Sequence, residues 1–93
     1  MLEVTVEKHL RDEVKKRGGM CPKFTDTGRR GAPDRLVLLP GHPTYFVELK
    51  RPRIGHLAVH QKRYHADIRA AGQSVIVLDS IEAVDAFLKA LAI

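Results

Sequence analysis

Cys21 is the only cysteine in the 93-residue chain. A lone thiol excludes a disulfide framework and any cysteine-built zinc site. Long apolar runs are also missing, and nothing approaches the ~20 residues needed to cross a bilayer. The amino-terminal stretch carries Glu3, Glu7 and Lys8 among its apolar residues, which excludes a signal peptide. Aromatic residues make up only 5% of the chain. With so few, a base-stacking platform for single strands is unsupported. The sequence shows no internal repeat, low-complexity tract or linker. What is present is a globular balance of 44% hydrophobic and 29% charged residues. The expectation is one domain over residues 1–93 with a single modest core, soluble, intracellular and not membrane-bound.

The charge is positive and uneven. There are 16 Lys and Arg against 11 Asp and Glu, a net of +5. Between residues 29 and 63, eight basic residues face only Asp34 and Glu48, leaving +6 in that window. Residues 70 to 93 hold Lys89 against Asp79, Glu82 and Asp85. A basic central surface next to an acidic end is a statement about partners, and phosphate is the commonest of them. A solvated face is the plain alternative.

Periodicity supplies the elements. Leu2, Val6, Leu10 and Val14 recur every four residues, as on an amphipathic helix, and Gly18-Gly19 stops it. Residues 20 to 26 read as a short strand, and Thr27 to Pro33 as a loop. Arg35 to Leu39 and Thr44 to Lys50 form an antiparallel hairpin closed by Pro40-Gly41-His42-Pro43. Arg51 to Gly55 reads as a loop and Leu57 to Ala71 as a helix ended by Gly72. Ser74 to Leu78 is an apolar strand of the buried kind. Asp79 or Ser80 then caps a last helix with a stripe of Val84, Phe87, Leu88 and Leu91. The order α-β-β-β-α-β-α is an α/β fold on a mixed sheet.

The hairpin carries the chemistry. Residues i and i+2 of a strand share a face, so Glu48 and Lys50 project together and Leu49 points away. Setting Asp34 opposite Glu48 pairs Leu36 with Phe46 and Leu38 with Thr44, and leaves a plausible five-residue loop. A slip of one residue would separate the two acids. Facing carboxylates repel. Either Lys50 lies between them in an ordinary surface cluster, or a divalent cation does. Hard oxygen ligands suit Mg²⁺ or Mn²⁺. His56 and His60 are spaced i, i+4, but with no adjoining Glu or cysteine they make a poor zinc pair.

Gly31-Ala-Pro-Asp34, thirteen intervening residues and Glu48-Leu-Lys50 resemble the PD-(D/E)XK nuclease signature. Glu7-Lys-His-Leu, Gly18-Gly19, Lys23-Phe24, Arg30-Gly-Ala-Pro-Asp-Arg35, Phe46-Val-Glu-Leu-Lys50, Gln61 and Gly72 extend the similarity to its VRR-NUC branch. The likeness is to small stand-alone members of phages and prophages, which resemble Holliday-junction resolvases. The resemblance spans nearly the whole chain. It implies a restriction-endonuclease-like α-β-β-β-α-β core with a carboxy-terminal helix. It also implies Asp34, Glu48, Lys50 and Gln61 as catalytic residues. Mg²⁺, with Mn²⁺ as a substitute, would be held by Glu7, Asp34, Glu48 and the Leu49 carbonyl. Glu3 lies one turn before Glu7 and is the weaker candidate. Arg29, Arg30, Arg35, Arg51 and Arg53 flank the acids and would offset the charge of a DNA backbone.

The activity implied is metal-dependent endonuclease cleavage leaving a 5′-phosphate and a 3′-hydroxyl. With no helix-turn-helix or zinc finger, specificity would rest on the shape of branched DNA, flaps or junctions. One site per chain, for cutting two strands, argues for a homodimer. The implied location is the cytoplasm of a bacterial host. The competing class is a non-catalytic nucleic-acid-binding module on the same fold.

Overall fold

In the computed structural model, residues 3–50 and 56–91 are described. The expected loop at 51–55 lies outside them, as does Leu2 of the first apolar stripe. Helix α1 runs Glu3–Lys16, strand β1 Arg35–Val37, strand β2 Tyr45–Leu49, helix α2 Val59–Ala70, strand β3 Ser74–Leu78 and helix α3 Ile81–Ala90. The sheet order is β1-β2-β3. β1 and β2 are antiparallel, whereas β2 and β3 are parallel and joined through α2.

Helix α1 ends as two adjacent glycines dictate. Gly18 takes a φ of 81°, which has a low cost without a Cβ. The Gly19 and Gly18 amides then close onto the Val14 and Lys15 carbonyls at 3.0 Å each. Val6, Leu10 and Val14 are fully buried against Val37, Val47 and Leu49, together with Val84 and Leu88 of α3. Each such side chain contributes about 2 kcal/mol of burial. On the other sheet face, Tyr64 and Ile68 of α2 pack on Val75, Phe24, Ala32 and Phe46. Phe24 meets Phe46 edge to face at 5.4 Å. The sheet is therefore sandwiched, α1 and α3 on one side and α2 on the other. Ser80 caps α3 by accepting the Ala83 amide at 3.0 Å.

The stretch read as a first strand is less regular than expected. It joins β1 through two isolated bridges, Met20↔Leu38 and Lys23↔Arg35. Pro22, between them, has no N–H for a continuous ladder, although its carbonyl accepts the Leu36 amide at 3.0 Å. Among the described residues the continuous sheet thus has three strands, with a fourth segment bridged at its β1 edge.

Candidate active site

The register is the one the apolar alternation requires. Arg35 pairs with Val47, Leu36 with Phe46 and Val37 with Tyr45. One step further, Asp34 stands opposite Glu48. The Asp34 amide donates to the Val47 carbonyl at 3.0 Å. Its carboxylate Oδ2 accepts the Leu49 amide at 2.8 Å, so the acid is fixed to the neighbouring strand. Leu49 itself is 1% exposed and faces the α1 and α3 core. Alternation then sends Glu48 and Lys50 toward α2.

Gln61 joins these residues. Its Oε1 accepts from Lys50 Nζ at 3.1 Å and from the Ala58 amide at 2.8 Å. Its Nε2 donates toward Glu48 Oε2 at 3.4 Å. The amide orientation follows from the partners, since the oxygen meets two donors and the nitrogen meets a carboxylate. Ala58 offers no side-chain cap, so Gln61 closes the first turn of α2 as well as holding Lys50.

His65 belongs to this group, and the sequence reading passed over it. It is fully buried, with Nε2 3.4 Å from Glu48 Oε1. Its Nδ1 has no hydrogen-bond partner among the described residues. A charged imidazole would bury an unmatched N–H donor there, so the neutral ring with its proton on Nε2 is favoured. The signal was available: His65 is four residues after Gln61 on the same helix face. Burial pushes the His65 pKa down, and the Arg69 and Lys50 cations push it further, against a smaller upward pull from Asp34.

A stability prediction follows. Because the folded value lies below the ordinary 6.5, the unfolded chain binds more protons as the pH falls through that range. The stability is complete above pH 6.5 and is lost below it. The melting temperature should drop between pH 7 and pH 5, and less so in His65→Gln. Equal drops by calorimetry would remove His65 as the cause.

The other expected site residues are placed as follows. Glu7 pairs with Arg35. Its Oε2 lies 2.6 Å from Arg35 Nε, on the α1 side of the sheet. Arg35 is not a surface cation, being 6% exposed and also bonded through Nη1 to the Cys21 carbonyl at 2.7 Å. The pairing has one cause: Arg35 follows Asp34 in the chain and so points to the opposite face. Arg29 lies over the Tyr64 ring at 4.7 Å and pairs with Asp67 at 2.7 Å. Arg30 is exposed. Arg51 and Arg53 lie outside the described residues.

The donor set suits a hard divalent cation. Asp34 commits Oδ2 to an amide, and Glu48 stands opposite it as a second carboxylate on the same sheet face. Paired carboxylate oxygens are the ligands Mg²⁺ and Mn²⁺ prefer. Among the described residues there is no group of three or more His, Cys, Asp or Glu side chains placed to hold one. The fit is thus to two carboxylates plus backbone oxygen. No described helix is long and apolar enough to cross a membrane.

A three-stranded mixed sheet between helices, with Asp, Glu and Lys at one end of a hairpin, defines a nuclease-like α/β fold. No protein-family model matches the chain. A solved structure described as a VRR_NUC domain superposes with a TM-score of 0.87, at 36% identity, covering 94% of each chain. "Putative nuclease p44" of Acyrthosiphon pisum secondary endosymbiont phage 1 is 52% identical over 79 residues, 84% of this chain and 83% of that protein. The chain belongs to the VRR-NUC nuclease family.

Proposed function

We propose that this protein is a metal-dependent DNA endonuclease of the PD-(D/E)XK type. The observation that carries the reading is the linked set of Asp34, Glu48, Lys50 and Gln61 on one sheet face. Asp34 is bonded to the Leu49 amide, and Lys50 and Glu48 are bridged by one amide side chain. Similarity to a phage protein named as a nuclease supports it.

Asp34, Glu48 and the Leu49 carbonyl would hold Mg²⁺, or Mn²⁺ in its place. When bound, the cation supplies positive charge to the phosphate oxygens in the transition state. Glu7, whose Oε2 pairs with Arg35, is the further candidate ligand, directly or through water. The Lys50 ammonium, held by Gln61, donates to the attacking water and to a phosphate oxygen, and so fixes the line of attack. The water passes a proton to bulk solvent as it forms the new P–O bond. The bond to the 3′ oxygen breaks, and that oxygen takes up a proton from solvent. The products are a 5′-phosphate and a 3′-hydroxyl.

His65 acts on Glu48 rather than on substrate. Its Nε2–H restrains the carboxylate from the buried side, as hydrogen-bonded residues behind metal ligands do. Branched DNA is the expected substrate and a homodimer the expected form, since each chain carries one such site and cutting two strands needs two.

The test is incubation with labelled duplex, flap and four-way-junction DNA in Mg²⁺, Mn²⁺ or EDTA. Cleavage with either metal, lost in EDTA and strongest on a branched substrate, is the expected result. Binding without cleavage in any metal would replace this reading with the non-catalytic module.

A further inference from the structure

We propose that the 26–31 loop is a pinned clamp for the DNA phosphate backbone beside the cleavage site, with Arg30 as its phosphate contact and Arg29 as a positioning residue. The proposal rests on the nuclease reading above and assigns different work to two adjacent arginines.

The loop is tied to α2 on both sides of Arg30. On the amino-terminal side, Asp26 accepts the Gly28 amide at 2.9 Å through Oδ1 and the Tyr64 hydroxyl at 2.7 Å through Oδ2. The Tyr64 bond and the Gly28 amide both hold the Asp26 carboxyl below its ordinary value, so it is ionised at neutral pH. The Arg29 guanidinium lies 4.7 Å from the Tyr64 ring centre, and its Nη2 is 2.7 Å from Asp67. Arg29 is therefore already stacked and neutralised before any ligand arrives.

On the carboxy-terminal side, Gly31 has a φ of 99° and lies against the first turn of α2. A Cβ there would stand 2.3 Å from the His60 carbonyl oxygen and 3.0 Å from the Gln61 nitrogen. No other residue type fits this approach without displacing backbone.

Arg30 is left exposed between two fixed points. It makes no hydrogen bond or ion pair among the described residues. It lines an open groove of about 500 Å³ with Asp26, Gly31 and His60. The groove shares the first turn of α2 with Gln61, which holds Lys50 and Glu48. Three residues after Gly31 the chain reaches Asp34. The loop therefore leads directly into the hairpin end that carries the acids, and its groove meets theirs at the first turn of α2. A cation on a pinned loop loses less freedom on binding than one on a mobile loop. The contact is to phosphate and carries no base information.

The test measures duplex affinity by fluorescence anisotropy in Ca²⁺ across a salt series, with cleavage followed in Mg²⁺. The proteins are wild type, Arg30→Ala, Tyr64→Phe and the double variant. Arg30→Ala should weaken binding about tenfold at 0.1 M salt and lower the salt slope by about one unit, for every sequence tried. Tyr64→Phe keeps the ring and loses one hydrogen bond to Asp26, and should weaken binding about threefold. In the Arg30→Ala background, Tyr64→Phe should cost nothing more.

A purely structural Tyr64 would give additive losses, and that result overturns the clamp. An unchanged slope in Arg30→Ala, with wild-type cleavage intact, also overturns the clamp and leaves the nuclease reading standing. A wild type that neither binds nor cuts DNA overturns both.

Discussion

Asp34→Asn is expected to reduce cleavage by at least about 10³-fold while the protein remains folded. The carboxylate has two functions that this substitution separates. One oxygen accepts the Leu49 amide at 2.8 Å and fixes the end of the hairpin. Asparagine keeps a carbonyl oxygen for that bond. The negative charge that would hold a divalent cation is lost, and with it several kcal/mol of transition-state stabilisation. The melting temperature without metal should stay within a few degrees of wild type. Mg²⁺ or Mn²⁺ should raise the wild-type melting temperature through binding to the native state, and should not raise that of the variant. Equal metal-induced shifts would place the cation elsewhere, and cleavage at the wild-type rate would remove Asp34 from the chemistry.

Glu48→Gln is a less clean probe of the same idea. Glu48 is 2% exposed, with Gln61 Nε2 near one oxygen and His65 Nε2 near the other. An amide nitrogen in either position turns to face another donor. The expected cost is about 1–3 kcal/mol of stability, which would mix misfolding with lost metal affinity.

Much of this site was legible in the sequence because the sheet has a period of two. Once Leu36 was set against Phe46, Asp34 had to oppose Glu48, and the observed pairing has that register. The same rule, applied one residue further, places Arg35 on the far face with Glu7. That step pairs two residues expected in different roles, Arg35 at the DNA and Glu7 at the metal. Pro22 announced the weak first strand, because it cannot donate to a ladder. His65 was available from its spacing to Gln61. The pairing of Arg29 with Tyr64 and Asp67 was not legible. Those partners lie more than thirty residues away, and only the packing of α2 on Phe24, Ala32 and Phe46 brings them to the loop. Charge counting treats Arg29 and Arg30 alike, and tertiary contact separates them.

Lys50→Met should separate chemistry from binding. Lys50 shares a strand face with Glu48, and its ammonium cannot ligate a cation. It donates to Gln61 Oε1 at 3.1 Å, and that oxygen also closes α2 through the Ala58 amide. The lysine is thus held against a rigid helix end, an arrangement suited to orienting a water and stabilising charge as it forms. Such a group affects the rate more than ground-state affinity. Methionine keeps the length of the side chain and removes the charge. Gln61 retains its Ala58 bond, so α2 should keep its first turn. Cleavage should fall at least about 10²-fold, a common loss for a positioned catalytic group. DNA affinity should weaken only modestly, with a salt slope lower by about one unit. Single-turnover rates at saturating protein, set beside anisotropy titrations, resolve the two effects. If cutting at saturation matches wild type and only affinity declines, Lys50 is one more phosphate contact, and the catalytic role assigned to it is wrong.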